Sequence, residues 1–215
     1  MTPELVIFDC DGVVVDSEIL SNRFIRDEMA AHGLDLRLDQ IMELFVGGTI
    51  AGVAGRAREL GATLPPDWVE TFYPRLCDHL ALGTPMITGI VGVLQALDAA
   101  QLPYCIGSNG RHAKMKVTLG QHPELTARFT NNVFAAQDVA RPKPAPDLFL
   151  HAAGSMGYAP DASVVIEDSA TGARAARAAG MRCFGYAPEG DGAHLAAHGA
   201  VVFHSMADLP ALLGI

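Results

Sequence analysis

The chain has 215 residues, half of them apolar, and a mean hydropathy of +0.23; this allows a sizeable core and argues against disorder. Its net charge of −9 argues against nucleic-acid and anionic-membrane partners. A small anionic substrate stays compatible, because a metal ion and a few cations can reverse the field inside a cleft. Four scattered cysteines without CxxC spacing, and the lack of an apolar run of about 18 residues, predict a reducing, cytoplasmic setting.

Short apolar runs, most of them closed by a polar residue, alternate with helical patterns along most of the chain. The predicted strands are Leu5–Asp9, Tyr104–Ser108, Val133–Ala135, Ser163–Glu167, Cys183–Tyr186 and Val201–Phe203. Between them, helical spacing of small and apolar residues marks Ile90–Leu97, Leu148–Met156 and Thr171–Ala179. This alternation predicts an α/β fold, a Rossmann-like doubly wound parallel sheet with helices on both faces.

Residues 17–86 interrupt the alternation, because they contain helical patterns and no convincing strand. The predicted helices are Glu18–His32, Asp39–Phe45, Thr49–Leu60 and Pro66–Leu82. We therefore expect residues 17–86 to form an inserted all-helical cap domain, while residues 1–16 and 87–215 form the α/β core domain. A cap inserted at this point would lie directly above the end of the first strand.

Two carboxylates, Asp9 and Asp11, follow the first strand and are followed by Gly12. Ligands of α/β sheets bind at the carboxyl ends of strands. Two negative charges crowded there repel each other unless a cation lies between them, so we predict a divalent-metal site with one carboxylate free for chemistry. Taken alone, the Asp-Gly pair is equally compatible with an ordinary turn.

Three more polar clusters follow later strands: Ser108-Asn109-Gly110, Lys143 between two prolines, and Glu167-Asp168. In a parallel sheet all of them meet Asp9 and Asp11 at one edge. Each has a simpler interpretation by itself. The first is compatible with a loop, the second with a solvated lysine and the third with a charge pair at a helix N-terminus.

These four clusters, in this order and with a cap-sized helical insert after the first, resemble the haloacid dehalogenase superfamily. The branch they resemble contains phosphoglycolate phosphatases, sugar-phosphate phosphatases and β-phosphoglucomutases. Within it, Ser108-Asn109-Gly110 followed by Lys114-Met115 is similar to the pattern of 6-phosphogluconate phosphatase-like hydrolases. The resemblance implies an Mg²⁺-dependent phosphatase that acts on a small phosphorylated metabolite, a sugar or sugar-acid phosphate, through an aspartyl-phosphate.

The resemblance also implies a role for each residue. Asp9 would be the nucleophile, and Asp11 would protonate the leaving oxygen, which requires a raised pKa. Mg²⁺ would be held by the Asp9 carboxylate, the Asp11 carbonyl and Asp168, with Glu167 bound through water or orienting a ligand. Lys143 would neutralise a phosphoryl oxygen and hold Asp9. The other residues implied to contact the phosphoryl group are Ser108, Asn109, Gly110 and Gly12.

Some positions depart from relatives of this type. Mutase-type relatives carry a histidine where this chain has Ser21, which counts against a phosphomutase, and the presence of Asp11 counts against dehalogenation. Several sugar-phosphate phosphatases have a basic residue in the cap loop, whereas residues 46–49 have none, so Arg75 is a candidate for the missing cation.

Other interpretations stay open. A phosphomutase is the nearest alternative, and a non-catalytic phosphate-binding module, of the receiver type, is a more distant one. Asp16, with Ser17, is expected to cap the first cap helix, and Trp68, Phe72 and Tyr73 are expected to pack inside the cap. A monomer is expected, with a homodimer as the alternative.

Overall fold

The structure, a computed structural model, describes residues 2–45 and 48–215. Within these ranges, six parallel strands form one sheet, each within one residue of its predicted bounds. They are β1 (Leu5–Phe8), β2 (Tyr104–Ser108), β3 (Val133–Ala135), β4 (Ser163–Glu167), β5 (Arg182–Tyr186) and β6 (Val201–Phe203). Their order is β3-β2-β1-β4-β5-β6, which confirms the doubly wound α/β prediction.

The central strand β1 is buried on both faces, as its unbroken apolar sequence predicts. Ile7 pairs with Cys105 on one side and with Val165 on the other. Because side chains alternate along a strand, Phe8 packs into the apolar cluster on one face of the sheet and Ile7 into the cluster on the other. The sheet is thus the middle layer of a three-layer core.

Helices cover both faces of the sheet. They are α5 (Ile90–Ala99), α6 (His112–Gly120), α7 (Pro123–Arg128), α8 (Asp147–Met156), α9 (Ala170–Ala178), α10 (Ala193–Ala196) and α11 (Leu209–Leu213). Helix α8 begins after Pro146 and ends at Gly157, whose φ of +84° suits a residue without a side chain. The sequence analysis predicted α5, α8 and α9 but not the other four helices.

Four helices of the cap lie between β1 and α5: α1 (Glu18–Ala31), α2 (Leu38–Phe45), α3 (Ile50–Glu59) and α4 (Trp68–Ala81). They share an apolar cluster in which the rings of Trp68 and Phe72 stack with centroids 4.4 Å apart. Thr49 caps α3 by accepting a hydrogen bond from the Gly52 amide at 3.1 Å. The insert is therefore helical, as predicted, and its helices pack around a shared apolar cluster.

The two chain segments that join cap and core run side by side. Val15 forms an antiparallel bridge with Met86, and the Asp16 amide donates to the Pro85 carbonyl at 2.8 Å. The domain boundaries at 16/17 and 86/87 stay a prediction. None of the helices in the described ranges has the length and apolar character needed to cross a bilayer.

Candidate active site

Three neighbouring strands deliver the predicted site residues to one edge of the sheet. Strand β1 leads into Asp9, β2 ends at Ser108 and β4 ends at Glu167. The order β2-β1-β4 makes these ends adjacent, since the chain crosses from one half of the sheet to the other beside β1. The Asp9 amide donates to the Ile166 carbonyl at 2.9 Å, which fixes the nucleophile candidate beside β4.

Lys143 is buried between two carboxylates at this edge. Its Nζ donates to Asp9 Oδ1 at 2.8 Å and to Glu167 Oε1 at 2.6 Å, and its side chain is only 2% exposed. Burial alone would lower the pKa of Lys143, but the charges of Asp9 and Glu167 raise it, so the ammonium stays charged. The loop that carries it is held by Asn109, whose side chain accepts from the Lys143 amide at 3.0 Å and donates to its carbonyl at 3.1 Å.

Glu167 is fixed by hydrogen bonds on both oxygens. Its Oε2 accepts from the amides of Asp168 and Ser169, at 3.1 and 3.0 Å, and from the Ser169 hydroxyl at 2.9 Å. A Cβ at Gly172 would lie 1.7 Å from Glu167 Oε1, so only glycine leaves room for this carboxylate under the first turn of α9. Glu167 thereby orients both Lys143 and the backbone of Asp168.

Asp9, Glu167 and Asp168 form a cluster of carboxylates in which one oxygen from each residue lies within 4.8 Å of the other two. Burial raises the pKa of Asp9 to about 7, with Lys143 opposing the rise and Glu167 adding to it. Burial also raises the pKa of Asp168 well above its usual range, and the charge of Glu18 adds to the rise. Crowded, buried oxygen donors of this kind fit a hard divalent cation such as Mg²⁺.

Gly12 makes room for the Asp168 carboxylate. Its φ is +78°, and a Cβ placed there would lie 1.8 Å from Asp168 Oδ2. The sequence analysis assigned Gly12 to a close approach of backbone and phosphate. The structure adds a second reason for glycine at this position, namely the space that a proposed metal ligand occupies.

The Asp11 carboxylate has partners of its own. Its Oδ2 accepts from Lys114 Nζ at 2.8 Å, and its Oδ1 accepts from the Ser17 hydroxyl. Burial pushes the pKa of Asp11 upward, but Lys114 and Ser17 outweigh it and hold that pKa below its ordinary value. The expectation of a raised pKa for Asp11 is therefore wrong for the protein in this state, because an ammonium group lies against the carboxylate.

Two of these partners were missed or misassigned from the sequence. Lys114 entered the sequence analysis only as part of a motif, without a role, and Ser17 was expected to cap α1 with Asp16. Ser17 does occupy the N-cap position, but its side chain makes no capping hydrogen bond and binds Asp11 instead. The i, i+6 spacing of Asp11 and Ser17 carries no periodic signal that could have revealed this contact.

A pocket lies between this edge of the sheet and the cap. Ser108, Asn109, Gly110 and the charged residues described above line its core wall. Among the described residues, its cap wall consists of Gly48, four residues with polar side chains and five with apolar side chains. The polar residues are Glu18, Ser21, Asn22 and Tyr73, and the apolar residues are Ile25, Phe45, Ile50, Val53 and Leu76.

Arg75 does not line this pocket. Its guanidinium donates to Glu28 Oε2 at 2.8 Å, within the cap, so the structure does not support Arg75 as the missing cation of the cap. The cap-loop residues Val46 and Gly47 lie outside the described residues.

A contact between core and cap lies beside Tyr73, one of the residues that line the pocket. Arg111, which follows the Ser108-Asn109-Gly110 motif, donates to both carboxylate oxygens of Glu70, at 3.0 and 2.9 Å. Its guanidinium also lies 4.2 Å above the centre of the Tyr73 ring. Tyr73 was expected to pack inside the cap, but it lines the pocket and contacts the core instead.

Comparison with known proteins places the chain in a family. The model of the haloacid dehalogenase-like hydrolases matches residues 3–180. The 6-phosphogluconate phosphatase of Escherichia coli is 28% identical over 97% of this chain and 94% of its own length. The fructose-1-phosphate phosphatase YqaB of the same organism is 32% identical over 82% of this chain and 92% of its own length.

A solved structure shows the same architecture. A HAD family hydrolase from Deinococcus radiodurans, solved with bound phosphate and sodium, is 35% identical, covers 99% of this chain and 96% of its own, and superposes with a TM-score of 0.76. The chain belongs to the haloacid dehalogenase-like hydrolases, and the named phosphatases among its relatives make it an enzyme of the phosphatase class.

Proposed function

We propose that the protein is a Mg²⁺-dependent phosphatase that hydrolyses a small sugar or sugar-acid phosphate through an aspartyl-phosphate. The observation that carries this proposal is the convergence of Asp9, Lys143 and Asp168 on one pocket beneath the cap. The named substrates of the two Escherichia coli phosphatases support the substrate class. The setting we propose is cytoplasmic, with the protein acting as a monomer and without nucleic-acid or membrane partners.

In the first step, an oxygen of Asp9 attacks phosphorus while the bond from phosphorus to the leaving oxygen breaks, and Asp11 gives that oxygen a proton. Asp11 has to take up this proton when the substrate binds, because Lys114 and Ser17 keep its pKa low in the free protein. In the second step, water attacks phosphorus, the bond to Asp9 breaks, and Asp11 takes the proton of the water. Lys143 holds Asp9 in place and offsets negative charge on the phosphoryl oxygens. Ser108 and the Asn109 amide donate hydrogen bonds to the same oxygens.

Asp9, Asp168 and the Asp11 carbonyl are the groups that we assign to Mg²⁺, with Glu167 orienting them. When bound, the ion would neutralise the crowded carboxylates and polarise the phosphoryl group. Oxygen donors gathered within 4.8 Å support this assignment.

The test is hydrolysis of p-nitrophenyl phosphate with Mg²⁺, with EDTA in excess, and by Asp9→Asn. Removing the metal or the nucleophile should each reduce the rate by at least ~10³-fold. Asp161→Asn, an exposed aspartate outside the pocket, serves as the matched control and should retain the rate.

Three results separate the alternatives. Undiminished activity in EDTA would contradict the metal dependence, and undiminished activity of Asp9→Asn would contradict the assignment of Asp9 as the nucleophile. An isomerised sugar phosphate, formed only with a sugar bisphosphate present, would identify a phosphomutase.

A further inference from the structure

Among the described residues that line the pocket, every positive charge is already paired with a carboxylate. Five carboxylates and two ammonium groups line it: Asp9, Asp11, Glu18, Glu167 and Asp168 against Lys114 and Lys143. Both ammonium groups are already paired, Lys114 with Asp11 at 2.8 Å and Lys143 with two carboxylates. A divalent cation at the cluster of carboxylates would be shared with the phosphoryl group that reacts, so it leaves nothing for another anion.

The cap supplies no further cation. Arg75 pairs with Glu28, and Arg111, which approaches from the core, is held by both oxygens of Glu70. Neither arginine is among the residues that line the pocket. Val46 and Gly47, the cap-loop residues outside the described ranges, are uncharged. A carboxylate or second phosphate on the leaving group would therefore meet only neutral or negative side chains on the cap wall.

The cap wall does offer neutral polar groups. The Ser21 hydroxyl is buried and has no hydrogen-bond partner among the described residues, although its side chain lines the pocket. Leaving a buried hydroxyl unpaired costs free energy, and a ligand hydroxyl at hydrogen-bond distance would remove that cost. Asn22, the next residue of α1, is 4% exposed and lines the same wall, where its amide can both donate and accept.

We propose that the substrate is the monophosphate of a polyol or sugar that has no other charged group. Ser21 and Asn22 would bind its hydroxyl groups, and the pocket would discriminate against phosphorylated sugar acids and sugar bisphosphates. The proposal rests on the phosphatase activity proposed above and narrows its substrate class. The apolar residues of the cap wall, such as Ile25 and Leu76, would contact the C–H groups of the same sugar or polyol.

The experiment compares pairs of phosphates that differ only in one terminal group. Sorbitol 6-phosphate and 6-phosphogluconate differ by CH₂OH against carboxylate, and glycerol 3-phosphate and 3-phosphoglycerate form the three-carbon pair. Each compound is measured both as a substrate and as a competitive inhibitor of p-nitrophenyl phosphate hydrolysis. In at least one pair, we expect the neutral member to be favoured by roughly tenfold or more in kcat/KM or in inhibition constant.

Variants of the cap wall test the assignment of residues. Ser21→Ala should lower kcat/KM for the neutral substrate by roughly threefold to tenfold relative to p-nitrophenyl phosphate, which has no hydroxyl to bind. Asn22→Lys should move the preference toward the carboxylated member by roughly tenfold. Asn22→Met removes the polar amide without adding charge, so it should lower kcat/KM for the neutral member without moving the preference toward the carboxylated one. Arg75→Gln removes a cation outside the pocket and should keep the wild-type preference.

Two kinds of failure are distinguishable. If p-nitrophenyl phosphate and all four compounds are left intact in the presence of Mg²⁺, the proposed phosphatase function is overturned. If p-nitrophenyl phosphate is hydrolysed but the carboxylated members bind as well as the neutral ones, or if neither neutral member reacts or inhibits, the substrate proposal is overturned while the phosphatase function stands.

Discussion

The two walls of the pocket differ in how their polar groups are held. On the core wall, every lysine lies between carboxylates or against one, and Asn109 and Glu167 bind the backbone of neighbouring loops. On the cap wall, apolar side chains predominate, and the Ser21 hydroxyl has no partner within the described part of the chain. From this difference we expect the core to hold the reacting groups rigidly and the cap to select the leaving group.

Lys143→Met should produce the largest change on the core wall. It removes the cation between Asp9 and Glu167, two carboxylates whose side chains are 12% and 0% exposed. Removing one partner of a buried ion pair should lower the free energy of unfolding by about 3–5 kcal/mol, which urea denaturation measures. Hydrolysis of p-nitrophenyl phosphate should fall with it, by at least ~10²-fold, since a phosphoryl oxygen loses its cation.

The matched cap variant is Arg56→Met, which breaks an exposed ion pair with Glu59 inside α3. Its cost should stay below about 1 kcal/mol, because solvent screens exposed pairs. Equal losses of stability in the two variants would contradict the contrast between a rigidly paired core wall and the rest of the molecule.

Gly12→Ala should come next in size. The new methyl group would lie 1.8 Å from Asp168 Oδ2 in the unshifted structure, so the proposed metal ligand has to move. We expect the Mg²⁺ concentration for half-maximal activity to rise, or the maximal rate to fall, by roughly 10- to 100-fold. Titrating activity with Mg²⁺ measures both quantities.

Gly33→Ala is the control that separates two effects of Gly12→Ala, the steric clash with Asp168 and the strain of a left-handed backbone. Gly33, in the cap, has a φ of +84°, close to the +78° of Gly12, but a methyl group there meets nothing within 4 Å. Both alanines carry the strain of a left-handed backbone, while only the first displaces Asp168. A similar loss of activity in both variants would show that space for Asp168 is not what Gly12 provides.

The core wall was largely predictable from the sequence, and the reason is local. Asp9, Ser108 and Glu167 each end a short apolar run, and parallel strands bring their carboxyl ends to one edge whatever the helices do. Their neighbours along the chain, Asn109 and Asp168, come with them. The loop that carries Lys143 was predicted to reach the same edge because it follows the predicted strand Val133–Ala135, and the Asn109 side chain shows what holds it there.

The partners of Asp11 and the cap wall depend on tertiary packing that local patterns do not encode. Helix α6 buries Lys114 and Thr118 together with Met115 and Leu119, so polar residues interrupt the apolar stripe that would have revealed the helix. Tyr73 lies on α4 with the apolar residues of the cap, and only the docking of the cap on the core decides that it contacts Arg111.

Gly55→Ala should slightly raise the free energy of unfolding, whereas Lys143→Met lowers it. Gly55 is exposed within α3, and a methyl group there meets nothing within 4 Å. Alanine restricts the unfolded chain more than glycine does, so stability should rise by about 0.5–1 kcal/mol. Thermal and urea unfolding measure it, and the rate of hydrolysis should not change because α3 contributes this residue to the solvent side only.

The contact between Arg111 and Glu70 should have the smallest effect of all. It joins the core to the cap, but Glu70 is 70% exposed, so the pair should contribute only about 0.2–1 kcal/mol to holding the cap on the core. Glu70→Arg should therefore raise KM about two- to fivefold with little change in kcat, because it makes the closed cap less populated without touching the reacting groups. The double variant Glu70→Arg with Arg111→Glu restores the charge pair and should recover part of this loss, although the ring contact of Arg111 with Tyr73 is gone. A KM that is unchanged in Glu70→Arg would mean that the apolar contacts between α4 and α6 close the pocket without help from this ion pair.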